Sequence, residues 1–106
     1  FQPDVLSLER CFVAKNARSA LLLGHARGAI MVLCADHGMD VAEYAPSQIK
    51  SAVTGHGRAD KRQVAEMVRV LMTLPSPPPS DAADALGAAI CHAHAPPISA
   101  MPQEVR

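Results

Sequence analysis

Tryptophan is absent from the 106 residues, tyrosine occurs once and phenylalanine twice. With aromatics at 3%, the core has to be aliphatic, drawn from Leu, Val, Ile, Met and Ala within an apolar fraction of 49%. That fraction argues against a chain disordered throughout. One domain is the natural count at this length, with roughly 65% of the unfolded surface buried on folding. Net charge is also missing: 10 Lys and Arg balance 10 Asp and Glu. A polycation that holds nucleic acid by bulk charge alone is disfavoured, but a local basic patch is not. The longest uncharged apolar run, residues 28–35, is eight long, against the roughly 20 of a membrane span. Cys11, Cys34 and Cys91 are odd in number and form no CxxC pair, which favours a reducing cytosol over a disulfide scaffold. No basic stretch leads into an apolar one at the start, so no signal peptide is visible. The first residue is Phe rather than Met, and the chain is expected to be cut.

What is present alternates between strand and helix. VLSLE, Val5–Glu9, reads as a strand buried on both faces, with Glu9 at its C-terminal end. In open α/β sheets, active sites gather at such ends. Asn16 is a plausible N-cap for a helix over 17–37, with Gly38 at its C′ position. That helix is apolar nearly all round, which predicts burial by a sheet and by a second subunit. Gly24 and Gly28 share one face and permit close backbone approach. A second strand is expected over 41–44 and a short helix over 46–53, opened by Pro46. TGHGRAD (54–60) is a glycine loop. Asp60 with Gln63 suggests a capping box for a helix bearing Val64, Met67, Val68, Leu71 and Met72 on one face. The PSPPPS run (residues 75–80), beginning with Pro75, ends it, a last helix spans Ser80–His94, and residues 96–106 read as a Pro-rich, flexible tail. Residues 1–95 would then form the folded domain. The order predicts a parallel pair with a crossover helix, and two strands alone make a poor sheet, so strands are expected to be missing.

Three acids stand where chemistry could gather. Asp81 and Asp84 are three apart in SDAADAL, which puts both on one helix face. The plain explanation is Ser80 as cap and acids favouring the helix dipole. Asp84, however, lies beyond the first turn between apolar neighbours, and Glu9 ends the strand. Three converging carboxylates repel unless a hard cation such as Mg²⁺ neutralises them. Paired metals can activate water for phosphodiester hydrolysis.

Charge is segregated along the chain. Residues 10–35 carry Arg10, Lys15, Arg18 and Arg27 with no acid, and residues 50–62 carry Lys50, Arg58, Lys61 and Arg62 against Asp60. Residues 74–103 hold no Lys or Arg, only Asp81 and Asp84. Basic segments flanking an acidic centre suit a metal-dependent nuclease, although solvated faces give the same pattern. Phe12 in the basic stretch is either core or a base-stacking ring. Cys91, His92 and His94 lack a partner pair at structural-zinc spacing.

The stretches LERCFVAKNARSALLLGHARG (8–28), EYAPSQIKSAVTGHGRADKRQV (43–64) and SDAADALGAAICHAH (80–94) together resemble the RuvC-type crossover junction endodeoxyribonucleases. The likeness covers nearly the whole chain. It implies an α/β, RNase H-like fold with N-terminal strands missing. It also implies a homodimer, here through helix 17–37, that cuts four-way junctions symmetrically to leave a 5′-phosphate and a 3′-hydroxyl. The cofactor implied is Mg²⁺, with two ions expected and Mn²⁺ able to substitute. By resemblance, Glu9, Asp81 and Asp84 match three of four catalytic acids and metal ligands, and Lys61 joins them in catalysis. Phe12, Lys15, Asn16, Lys50, Arg58 and Lys61 are the implied DNA contacts. The branch-migration helicase complex is the implied partner, no membrane is involved, and the location is cytoplasmic. The family's fourth acid, an Asp in an Asp-Pro-Gly context on the first strand, has no match here. The chain as given is therefore expected not to cut DNA. The rival reading is a non-catalytic DNA-binding or dimerisation protein of the same fold, and a weaker one is another RNase H-like nuclease.

Overall fold

The computed structural model describes residues 1–10 and 15–95. Six elements follow in order: β1 (Val5–Glu9), α1 (Ala17–Asp36), β2 (Asp40–Tyr44), α2 (Pro46–Thr54), α3 (Lys61–Leu71) and α4 (Ser80–His94). They divide into two compact units, Phe1–Pro46 and Ser47–Arg106. The expected tail, 96–106, lies outside the described residues.

The first unit is a strand–helix–strand crossover. β1 and β2 pair in parallel, with Val5 opposite Asp40 and Glu9 opposite Tyr44. The ladder extends one residue past β1, where the Arg10 N–H donates to the Tyr44 carbonyl at 2.8 Å. β1 is half-buried along its length, not buried on both faces, because a two-stranded sheet leaves its strands with open edges. α1 starts as its sequence dictates: Asn16 is extended and its side chain accepts from the Ser19 N–H at 2.9 Å. Its C-terminus is a Schellman motif. The Met39 N–H donates to the Cys34 carbonyl at 2.8 Å, and Gly38 sits left-handed at φ 67°.

The surroundings of α1 differ from expectation. Arg27, Met31 and Cys34, at i, i+4 and i+7, form its inward stripe, and only Cys34 is buried. Leu21, Leu22, Leu23, Ile30, Val32 and Leu33 are all exposed. Gly24 and Gly28 have nothing within 4 Å of where a Cβ would stand, so neither serves a close approach among the described residues. By length and composition α1 is also apolar enough to cross a membrane, which counting uncharged runs did not reveal. Arg27 at its middle pairs with Glu43 of β2, and a guanidinium at that depth in a bilayer is costly.

The second unit is helical. Asp60 and Gln63 form the expected capping box, each side chain taking the other's backbone N–H at 2.8 Å. α3 buries Val64 and Val68 but leaves Leu71 and Met72 exposed, so its expected apolar face is only half used. Val68 is fully buried, and around it the core holds Ile49, Val53, Ala59, Ala83, Ala88 and Cys91. α4 comes so close to α2 that a Cβ on Gly87 would lie 3.2 Å from the Ile49 side chain. Glycine there sets the spacing of the two helices.

α3 ends in the same motif as α1, with a different residue at the critical place. The Leu74 N–H donates to the Arg69 carbonyl at 2.9 Å, and Thr73 occupies the left-handed C′ position at φ 55°. A β-branched residue is strained there, by about 1 kcal/mol or more. Thr73→Gly should stabilise the chain by about 1 kcal/mol and raise its melting temperature by about 4 °C. A thermal melt checks this, and an unchanged or lower midpoint contradicts it.

Candidate nucleic-acid and metal site

The start of α4 departs from the simple capping picture. Pro79 holds the N-cap position at φ −57° with no side-chain cap, and Ser80 is already inside the helix. A proline fixes φ and so serves the helix entrance without a capping oxygen. The Ser80 hydroxyl is therefore released for another role, and accepts from Lys61 Nζ at 3.4 Å. Asp81 lies in the first turn and Asp84 three residues on. Both are exposed, so Asp84 is not held against apolar neighbours as its sequence context suggested. The positive end of the helix dipole favours carboxylates at this place.

Lys61 thus reaches the start of the helix that bears two acids. It is the first residue of α3, placed by the Asp60 cap, and its ammonium reaches the residue next to Asp81. Lys50 lies on α2 and Arg58 in the loop before α3, the latter exposed. Lys50, Arg58, Lys61, Asp81 and Asp84 all belong to the second unit.

Glu9, Lys15 and Asn16 belong to the first unit. Glu9 ends β1 with its side chain exposed. Lys15 precedes α1, and the Asn16 side-chain oxygen is committed to the cap. Phe12 lies outside the described residues, as does Cys11. Among the described residues no three His, Cys, Asp or Glu side chains are grouped closely enough to hold a metal ion. The donor chemistry is nonetheless that of a hard cation: two carboxylates on one helix face, with neither thiolate nor imidazole between them.

One residue was missed by sequence reasoning. Glu43 on β2 takes Arg27 of α1 on one oxygen and Arg10, at 3.6 Å, on the other. Its carboxylate ties the crossover helix to the strand and holds the residue that follows Glu9. The only sequence signal was an acid inside an otherwise apolar strand. Cys91 is buried, which pushes its thiol up from the ordinary value, and the thiol donates to the Gln48 carbonyl at 3.8 Å, the surroundings of a core cysteine.

Residues 1–92 match the family described as crossover junction endodeoxyribonuclease RuvC. The chain belongs to the RuvC family. It is 57% identical over 93 residues to a crossover junction endodeoxyribonuclease RuvC from Halorhodospira halophila, covering 88% of this chain and 56% of that protein. A RuvC from Shewanella pealeana is 57% identical over 94 residues, covering 89% and 54%. The chain therefore spans about half the length of the curated relatives it matches.

Solved RuvC structures agree with this. Thermus thermophilus RuvC superposes with a TM-score of 0.78 at 40% identity, covering 87% of this chain and 56% of that one. The same protein in complex with a Holliday junction substrate gives 0.82, covering 88% and 57%. The fold is accordingly the RNase H-like α/β fold of the RuvC family, present here in part. RuvC enzymes are metal-dependent nucleases, which fits the carboxylate pair Asp81 and Asp84 at the start of α4.

Proposed function

We propose that this chain carries the resolvase half-site of a structure-specific endonuclease that resolves four-way (Holliday) junctions in recombination and repair. Residues 1–95 are its catalytic domain. The observation that carries the reading is the placement of Lys61 against Ser80, at the helix start that bears Asp81 and Asp84, in a chain of the RuvC family. A phosphodiester approaching the aspartates meets an ammonium at the same place, and charge of both signs is what strand hydrolysis requires.

Glu9, Asp81 and Asp84 are the proposed metal ligands, with Mg²⁺ as the ion, two in number, and Mn²⁺ as its substitute. A bound divalent cation supplies charge neutralisation and an acidified water. Lys61 offsets the charge of the reacting phosphate. Lys50 and Arg58 hold phosphates farther along the strand, and Phe12, Lys15 and Asn16 contact the DNA near the crossover. Partners are the junction itself, a second copy through α1, and the branch-migration helicase complex. The bacterial relatives point to a cytoplasmic location.

Lysine is a point charge without the bidentate geometry that reads bases. In a full-length protein, Lys61→Ala should therefore weaken binding of all branched DNA alike and lower the salt slope of log affinity by about one. Fluorescence anisotropy at several salt concentrations checks this; an unchanged slope with unchanged cleavage contradicts it. The 106 residues hold three of the four acids that the family resemblance implies. Catalytic groups that act as a unit fail together. The chain by itself is expected to bind a four-way junction in Mg²⁺ without nicking it. Symmetric nicking that Glu9→Gln abolishes would show the reading wrong.

A further inference from the structure

The loop between α2 and α3 carries Arg58 and leads into Lys61, and its shape depends on one residue that the proposed DNA contacts leave out. Gly55 turns left-handed at φ 79°, with its N–H on the Ser51 carbonyl at 2.8 Å. The Thr54 hydroxyl donates to the Lys50 carbonyl at 2.8 Å and accepts from the His56 N–H at 3.1 Å. The His56 carbonyl accepts from the Ala59 N–H at 3.2 Å, and Ala59 is buried. The His56 ring closes the turn, with Nδ1 accepting from the Arg58 N–H at 3.1 Å. A backbone N–H can only donate, so Nδ1 must be the bare nitrogen and the ring proton must sit on Nε2. The geometry is that of an Asx turn, in which a side-chain acceptor takes the N–H two residues on, with histidine in the place usual for Asn or Asp.

We propose that His56 is a positioning residue for DNA binding: its Nδ1 fixes the backbone at Arg58, so that Arg58 and Lys61 are presented together to one phosphodiester strand. This rests on the reading of the loop as a phosphate-binding segment. Without the acceptor, residues 56–58 sample other turns, and the backbone that carries Arg58 toward Lys61 is no longer held in one conformation. One ordinary hydrogen bond is worth about a fivefold change in an equilibrium, and the loss of binding should be of that size.

The acceptor role separates cleanly from a direct contact by the ring. Asn at position 56 offers Oδ1 close to where Nδ1 stands. Gln instead places its amide near Nε2, the outward nitrogen. Binding of a synthetic four-way junction by the chain is measured in Ca²⁺, with thermal melts of each variant in parallel. His56→Ala is expected to bind about fivefold more weakly, His56→Asn as tightly as wild type, and His56→Gln as weakly as Ala. Should the Ala variant fail to fold, the contrast between Asn and Gln still decides. Rescue by Gln but not Asn overturns the proposal in favour of a direct Nε2 contact. Wild-type affinity in all three, with Arg58→Ala weakened, overturns it while the DNA reading stands. If Arg58→Ala and Lys61→Ala also bind like wild type, the loop is no DNA-binding segment and both readings fall.

Discussion

With Asp84→Asn, a RuvC-family enzyme containing this chain is expected to cleave a four-way junction about a thousandfold more slowly. It should nevertheless bind the junction without metal as tightly as before, or more tightly. The two directions follow from one change. An amide keeps the shape of the carboxylate but loses the charge that holds a cation, so the attacking water is no longer acidified or aimed. The same loss would remove a negative charge beside the phosphates that Lys61 is proposed to attract, which should leave DNA binding intact or strengthen it. Asp84 is exposed, and Asn is tolerated on an exposed helix face at a cost of a few tenths of a kcal/mol, so misfolding is not the cause of the loss. Single-turnover cleavage and anisotropy on the same protein check the pair of effects. Full cleavage, or affinity lost in step with cleavage, contradicts the role given to Asp84.

The proposed association of two copies through α1 predicts that placing lysine at Leu22 and Leu33 together leaves the chain a monomer. Of the six exposed aliphatic residues of α1, Leu21, Leu22, Val32 and Leu33 lie on the side opposite the stripe of Arg27, Met31 and Cys34, and Leu23 and Ile30 flank that stripe. Leu22 and Leu33 are each 59% exposed, and eleven residues bring them almost into line along the axis. Exposed apolar side chains in such number mark an interface. Burying a leucine contributes about 1.5–3 kcal/mol, so two lysines should weaken association by about a hundredfold or more. Sedimentation at several concentrations checks this. A dimer unaffected by the substitutions, or a wild-type chain that stays in solution only with detergent, contradicts it. The latter result would favour the membrane-length reading of α1, against which the Arg27–Glu43 pair argues.

What the sequence revealed and what it hid divide along a physical line. Features held by neighbours in the chain were legible: the Asn16 cap, the Asp60–Gln63 box and Gly38 past the end of α1 each depend on residues within three or four positions. The parallel pairing followed from element order alone. One local expectation failed because a competing residue won: Pro79 took the N-cap from Ser80. The left-handed turn at Thr73 had no sequence signal, since a β-branched residue disfavours it and only the Schellman hydrogen bonds require it. Glu43 was hidden because its two arginines meet it only through strand register and the crossover helix. The exposure of α1 was hidden for a similar reason: periodicity shows that a face is apolar, not what covers it. Of the site, the Asp81–Asp84 spacing was plain. The Lys61–Ser80 contact was not, since it joins residues 19 apart on two helices.

The central claim is that the start of α4 holds the metal at which the junction strand is cut. Paramagnetic broadening by Mn²⁺ tests it most directly. Substoichiometric Mn²⁺ is added to the isotope-labelled chain, and amide signal loss is followed residue by residue. The account predicts that residues 80–85 broaden first and that Asp81→Asn with Asp84→Asn removes the effect at all of these positions. Broadening centred instead on His92 and His94, or signals at 80–85 that survive unchanged, would contradict it.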